Sequence, residues 1–293
     1  MKAVGQPYLP RPATSWNDGR EIELLRYIYD LPNLEELRGS PSKVIDAIDQ
    51  YGSDKDYLMN VGSAKGSIVT DLIAAVKPQV MVELGGYVGY SALLFGDAVR
   101  RAGGKRYYSL EQSPVFAAIS RMLLDLAGLG DFVEVVIGSS DIALFNLHNS
   151  GMVKRIDMMF LDHYKPAYVV DLKLCEQLGM IVPGSVLVAD NIIAPGNPPY
   201  LKYVRSSVAE KRAAAAAAKP TSSRGYDVNG FPSYVLAKFN VSPENALAGV
   251  DIFGNPDLTY ESRLVNSFEP TGEPDGLEVT RCIGIDRRPG SKL

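Results

Sequence analysis

Asp162, Lys165, Asp190 and Asn191 are the residues of this 293-residue chain whose types and spacing most directly suggest chemistry. Two carboxylates and an amide offer three oxygen donors and no nitrogen or sulfur. Such a set suits a hard cation, Mg²⁺ more than Ca²⁺, with water or substrate oxygens completing six positions. The carboxylates would neutralise a dication, and the dication would stop them repelling. Taken singly, Asp162 and Asp190 also read as caps at strand–helix turns. Lys165 follows Asp162 by three residues. Beside a dication in a partly dry cleft its ammonium is disfavoured, so its pKa should fall and it becomes a candidate general base. The competing reading is a solvated lysine at a helix start. His163 suits either stacking on adenine or filling space.

A second group lies upstream. Val80 to Leu84 is a short apolar run of strand length, interrupted by Glu83. Gly85, Gly86 and Gly89 form a turn, and a helical pattern begins at Ser91. Strand, glycine turn and helix N-terminus together make a nucleotide-type site, because glycines admit a close backbone approach and the helix end offers unpaired N–H groups. Glu111 lies about twenty residues beyond the turn, where a carboxylate can accept both hydroxyls of a ribose. That feature is shared by NAD and S-adenosylmethionine sites. The spacing Gly-x-Gly-x-x-Gly of a dinucleotide turn is absent. An acidic residue two before the first glycine is more typical of S-adenosylmethionine sites, which need no pyrophosphate cradle. The alternative is a turn whose glycines are incidental.

These groups need elements to position them. Apolar strands and helical patterns alternate with short connections from residue 63 to 190. That rhythm predicts an α/β fold with a parallel sheet and helices on both faces. Strands are expected at 80–84, 106–111, 133–137, 156–161 and 185–190, and their ends carry Glu83, Glu111, Gly138 to Asp141, Asp162 and Asp190-Asn191. In open parallel sheets, ligands bind beyond such strand ends. Residues 1–19 read as a loose or surface-bound arm and 20–293 as one domain. Helices from Glu21 to Asp30 and from Ser40-Pro41 onward, within 20–62, are expected over the mouth of the site. One helix is expected from Tyr200 to about Ala218, a long loop over 219–257 inside an extended insertion of 206–260, and a final antiparallel hairpin of 262–268 with 277–285.

The formal net charge of −4 gives no electrostatic reason to expect nucleic acid or an acidic membrane surface. No stretch approaches the roughly 18 apolar residues that span a bilayer. With two histidines, a histidine-based zinc site is disfavoured, and Cys175 and Cys282 lie in apolar patterns as expected of buried thiols in a reducing compartment. The chain ends Ser291-Lys292-Leu293, a peroxisomal address where exposed, so the expected location is cytoplasmic or peroxisomal.

The chain resembles the catechol O-methyltransferases, class I S-adenosylmethionine-dependent enzymes. The resemblance rests on Met59-Asn-Val-Gly62, Ala64-Lys-Gly66, Val82-Glu-Leu-Gly85, Tyr87-Val-Gly-Tyr-Ser91, Phe160-Leu-Asp-His163, Lys165, Ala189-Asp-Asn191, Pro195-Gly196 and Asp275-Gly-Leu-Glu278. It covers about 41–205 and, more loosely, the last hairpin. It implies a Rossmann-like, mostly parallel seven-stranded sheet. It also implies Mg²⁺ on Asp162, Asp190 and Asn191, Lys165 as base, and a cofactor pocket of Met59, Val61, Glu83, Gly85, Tyr87, Ser91, Glu111, Ser140, Asp162 and His163. Glu269 falls where the family places a carboxylate on the second catechol hydroxyl. Tyr57 and Tyr164 stand where the family's pocket walls are tryptophans, and Pro195 keeps a third wall. The expected reaction is methyl transfer from S-adenosylmethionine to a catechol hydroxyl. Alternatives are another vicinal-diol phenol such as a caffeoyl ester, an NAD-dependent oxidoreductase, or a binding protein that retains the fold without catalysis.

Overall fold

The computed structural model describes residues 6–13, 15–217, 228, 230–237 and 250–286. These residues form two compact units, one from those up to 138 with 266–276 and the other from those of 139–265 with 277–286.

The first unit is built on β1 (Val80–Leu84), β2 (Arg106–Glu111) and β3 (Val133–Ile137), all parallel. The register sets Glu83 opposite Ser109 and Glu111 opposite Ile137. The helices Gly62–Val76, Tyr90–Arg101 and Pro114–Leu126 follow the apolar periodicity of the sequence. Ser113 starts the last of these as an N-cap, its Oγ accepting the Phe116 N–H at 3.3 Å, with Pro114 at the first helical position where its missing N–H is harmless. The helices Arg20–Tyr29 and Pro41–Asp54 match the expected pair, and a short helix Leu34–Leu37 lies between them in sequence. The described part of the N-terminal arm is fastened rather than loose. Tyr8 is buried, its hydroxyl donates to Asp49 Oδ1 at 2.6 Å, and its N–H donates to the Pro270 carbonyl at 3.0 Å.

The second unit contains β4 (Met158–Leu161) and β5 (Val186–Ala189), which are parallel, and β7 (Pro274–Ile285) from residue 277 onward, antiparallel to β5. β6 is Leu258–Phe268. The seven strands run in the order β3-β2-β1-β4-β5-β7-β6, a mostly parallel sheet with antiparallel C-terminal strands. Ser140–Asn149 and Tyr168–Gln177 are the helices after β3 and β4. Cys175 and Cys282 are buried free thiols, as expected.

Three expectations change here. The helix expected over 200–218 is two helices, Pro198–Arg205 and Val208–Ala217. Ser206 is extended, and Ser207 then exchanges bonds with Glu210, its N–H donating to Glu210 Oε2 at 2.8 Å and its Oγ accepting the Glu210 N–H at 3.3 Å. This Ser-x-x-Glu capping box starts a new helix. β6 begins at Leu258, four residues before the expected start, because its first turn is pinned. The Leu258 carbonyl accepts from Lys211, and the Tyr260 hydroxyl donates to the buried Glu176. The stretch read as a loop holds a short helix, Ser233–Ala237; residues 218–227, 229 and 238–249 lie outside the described residues, as does the terminal Ser-Lys-Leu. Among the described residues no helix is long and apolar enough to cross a membrane.

Candidate active site

In the first unit β1 delivers Glu83 to the glycine turn. Its carboxylate is wholly buried and accepts from the Tyr107 hydroxyl at 2.6 Å and Ser109 Oγ at 2.5 Å. Tyr107 and Ser109 lie two apart on β2 and so share the sheet face that their register partners present. Burial and the neighbouring carboxylate push the Tyr107 phenol well above its ordinary range, so it acts as a permanent donor. Gly86 sits directly above: a Cβ there would fall 2.5 Å from Ser109 Oγ.

Glu111, at the end of β2, reaches back under the same turn. Its Oε2 accepts the Tyr87 N–H and its Oε1 the Ser113 N–H, each at 2.7 Å. Burial raises the Glu111 pKa, outweighing the backbone N–H groups that favour the charged form. Tyr87 adopts a positive φ of 46°, packs its ring edge against Phe116 and donates its hydroxyl to Glu21 at 2.9 Å. That bond ties the helix Arg20–Tyr29 to the turn. Gly85 and Gly89 have φ of 94° and 90°, which explains glycine at both. Ser91, Val61 and Tyr57 are buried; Met59 is half-buried. Arg20 Nη1 donates to the Tyr57 carbonyl at 2.7 Å, linking this segment to the same helix.

Glu269 also belongs to this unit. Its Oε1 accepts from Lys65 Nζ at 2.8 Å, and Lys65 bonds Asp275 Oδ2 at 3.0 Å. Lys65 and Asp275 escaped notice as site residues. The signal was present: Lys65, Val69 and Leu72 lie at i, i+4 and i+7, so a lysine occupies the apolar stripe of its helix.

In the second unit Asp162 and Asp190 follow a register pair. Leu161 of β4 is opposite Ala189 of β5, and the Asp190 N–H donates to the Leu161 carbonyl at 2.9 Å. Parallel strands lie about 4.8 Å apart, so the two aspartates are side by side at adjoining strand ends. Asp190 is 1% exposed and its Oδ1 accepts the Asn191 N–H at 2.6 Å. Asn191 takes a left-handed φ of 58°, which asparagine tolerates better than most residues. Among the described residues no three His, Cys, Asp or Glu side chains gather as a metal cluster. A cation here would therefore rest on two carboxylates and the Asn191 amide oxygen. That all-oxygen set at adjoining strand ends fits Mg²⁺.

Lys165 is held firmly. Its Nζ donates to Asp162 Oδ1 at 2.8 Å and to the Tyr168 hydroxyl at 2.8 Å. The Lys165 carbonyl accepts from Asn197 Nδ2 at 2.8 Å, and Asn197 also caps the helix Pro198–Arg205. Asn197 was missed, although Asn-Pro-Pro is a helix-start signal. His163 stacks on the Tyr168 ring, centroids 4.8 Å apart and planes 13° from parallel. His163 Nε2 lies 2.7 Å from Asp171 Oδ2, and Ser140 Oγ donates to the same oxygen at 2.5 Å. Asp171 thus joins two expected cofactor residues; its signal was an acid among the buried residues Tyr168, Leu172 and Cys175 of one helix. Tyr164 is half-buried, with its phenol raised by desolvation, and Pro195 is half-buried after a cis peptide bond.

A family profile described as a methyltransferase domain matches residues 82–192. A catechol O-methyltransferase of Mus musculus is 43% identical over 169 residues, 58% of this chain and 63% of that protein. The chain therefore spans less than two thirds of that relative's length. One from Sus scrofa is 40% identical over 151 residues, 52% of this chain and 80% of that protein. The O-methyltransferase TomG of Streptomyces achromogenes, solved in complex with SAM, is similar in fold: TM-score 0.53 and 21% identity, covering 89% of this chain and 99% of that one.

Proposed function

The chain belongs to the catechol O-methyltransferase family, and we propose that it transfers a methyl group from S-adenosylmethionine to one hydroxyl of a catechol in a Mg²⁺-dependent reaction. The observation that carries this reading is the side-by-side placement of Asp162 and Asp190 at adjoining strand ends, with Lys165 Nζ 2.8 Å from Asp162. Mg²⁺, when bound, supplies Lewis acidity that lowers the pKa of a coordinated phenol. S-adenosylmethionine supplies the electrophilic methyl group.

The remaining work falls to the chain. Asp162, Asp190 and Asn191 supply the oxygen ligands. Lys165 Nζ, fixed by Asp162 and Tyr168, accepts the phenol proton once it has given up its own and stands as the neutral amine. Glu111 receives the ribose hydroxyls. Its orientation is already fixed by the Tyr87 and Ser113 N–H groups, so little ordering is needed on binding. Ser140 and His163, oriented by Asp171, contact the adenine ring. Met59, Val61, Glu83, Gly85, Tyr87 and Ser91 form the wall around the cofactor, Glu83 doing so by bracing the turn from beneath. Glu269 accepts a hydrogen bond from the hydroxyl that is not methylated; Tyr57 in the first unit, and Tyr164 and Pro195 in the second, are the residues that the family resemblance assigns to phenol binding. Placing both reactants at contact distance would supply roughly 7–11 kcal/mol of the barrier reduction.

A second reading keeps the chemistry and changes the phenol. Tyr57 and Tyr164 in place of the family's tryptophans favour a more polar vicinal diol, such as a caffeoyl ester. Labelled S-adenosylmethionine with a phenol panel, with and without chelator, tests both. Label transferred to catechol only with Mg²⁺ supports the first reading. Transfer to caffeoyl esters in preference to catechol supports the second, and no transfer to any vicinal diol overturns both.

A further inference from the structure

Lys65 is wholly buried, and its ammonium lies between two carboxylates, 2.8 Å from Glu269 Oε1 and 3.0 Å from Asp275 Oδ2. Asp275 is wholly buried as well, whereas the Glu269 side chain keeps 19% exposure. A buried ammonium needs one counter-ion to offset desolvation, and Asp275 provides it. The bond to Glu269 exceeds that requirement. The backbone around Glu269 is fixed on its own account. The Glu269 N–H donates to the Glu273 carbonyl and the Gly272 N–H to the Glu269 carbonyl, both at 2.8 Å. Pro270 accepts the Tyr8 N–H at 3.0 Å and crowds Gly62 so closely that a Cβ there would lie 2.6 Å from its ring. With the turn already held, the Lys65 bond acts on the Glu269 carboxylate itself.

We propose that Lys65 is a positioning residue for substrate choice. Neutralised by Asp275, it holds one oxygen of Glu269, so the carboxylate meets the neighbouring hydroxyl of a vicinal diol in one orientation. This favours diols over monophenols and one methylated product over its isomer. The inference rests on the reading of Glu269 as the acceptor of the second hydroxyl. A flexible Glu269 would still bind diols, but less tightly and with poorer discrimination between the two hydroxyls.

The test compares the wild type with Lys65→Met, Lys65→Met/Asp275→Asn and Glu269→Gln. Each is measured for KM and kcat on a catechol with one ring substituent, for the ratio of its two monomethyl products, for S-adenosylmethionine affinity by calorimetry, and for folding by circular dichroism. The double variant carries no unpaired Asp275 charge, so it keeps the test usable where Lys65→Met alone fails to fold. It is expected to bind S-adenosylmethionine within about twofold of wild type, to raise KM tenfold or more, and to bring the product ratio toward one to one, as Glu269→Gln does. A folded double variant with wild-type KM and product ratio overturns the proposal. Failure of the double variant to fold also overturns it, because the cluster is then a stability element. A wild type inactive on every catechol overturns instead the functional reading beneath it.

Discussion

Lys165 Nζ and Asp162 Oδ1 are 2.8 Å apart, with 10% of the lysine side chain exposed. A second donor contact to the Tyr168 hydroxyl, also 2.8 Å, leaves the ammonium little freedom. The lysine is therefore placed by its neighbours in the chain. Lys165→Met is expected to lower kcat by about 10²–10⁴-fold, the span of a lost general base. S-adenosylmethionine affinity should change by no more than a few-fold. Single-turnover methyl transfer and calorimetry separate the two quantities. A variant that loses cofactor affinity and keeps turnover assigns the lysine to binding.

Asp190 is 1% exposed and adjoins Asp162 across the β4–β5 pair. A dication that binds only the folded form adds stability, about 2.7 kcal/mol at a hundredfold excess over its dissociation constant. Added Mg²⁺ is therefore expected to raise Tm, chelator to reverse the rise, and Asp190→Asn to abolish it. Differential scanning fluorimetry reads this without any substrate. A Tm indifferent to Mg²⁺ in the wild type removes the cation from this site.

Glu111 offers a pH test. Burial raises its folded pKa above the ordinary 4.5. Between 4.5 and the raised value the folded chain holds a proton that the unfolded chain has lost. Its contribution to stability is thus full below 4.5 and declines as pH rises through the folded pKa. Ribose hydroxyls donating to the carboxylate favour the charged form, so cofactor binding releases that proton. Affinity for S-adenosylmethionine should tighten as pH rises from 4.5 and then level off. Glu111→Gln should bind more weakly and lose this pH dependence. Calorimetry across the window, in buffers of different ionisation enthalpy, counts the released proton directly.

The parallel core was legible because buried strands are short apolar runs and their punctuation is glycine and proline; β1 and the helix Pro114–Leu126 fell where expected for those reasons. Asp162 and Asp190 were legible as candidates because each closes an apolar strand, and Lys165 because it follows Asp162 by three residues. Lys65, Asp171 and Asn197 were not read. Each acts on another side chain or backbone group far away in sequence, and a single sequence shows a residue's type but not its partner. The break at Ser206 shows a different limit. The helical pattern on both sides is good, and only the Ser207–Glu210 box reveals that two helices meet there.

Asp171 gathers Ser140 at 2.5 Å and His163 at 2.7 Å on one oxygen. Among the described residues, His163 Nδ1 is buried with no hydrogen-bond partner. A buried ring nitrogen left unsatisfied is costly, and a ligand donor or acceptor would offset it. Asp171→Asn should leave kcat at saturating cofactor within a few-fold and weaken S-adenosylmethionine binding about tenfold, equivalent to about 1.4 kcal/mol. Calorimetry with the cofactor and with an adenine-free fragment of it distinguishes the source. A loss shared equally by both ligands places the effect outside the adenine contact.

Gly89 joins the glycine turn to the helix Tyr90–Arg101 and carries φ of 90°. A Cβ there would overlap Ser120 Oγ and stand 3.1 Å from the Ser120 Cα. Two separate costs follow from Gly89→Ala. A left-handed non-glycine residue and an overpacked contact together should destabilise the chain by about 2–4 kcal/mol. Ser120→Ala added to Gly89→Ala removes the hydroxyl overlap but neither the backbone contact nor the strain. It should therefore restore only part of the lost stability. Urea unfolding midpoints of the two variants and the wild type measure this. Complete restoration by Ser120→Ala would show that the hydroxyl overlap alone sets the glycine requirement, and no restoration would show that the left-handed conformation sets it.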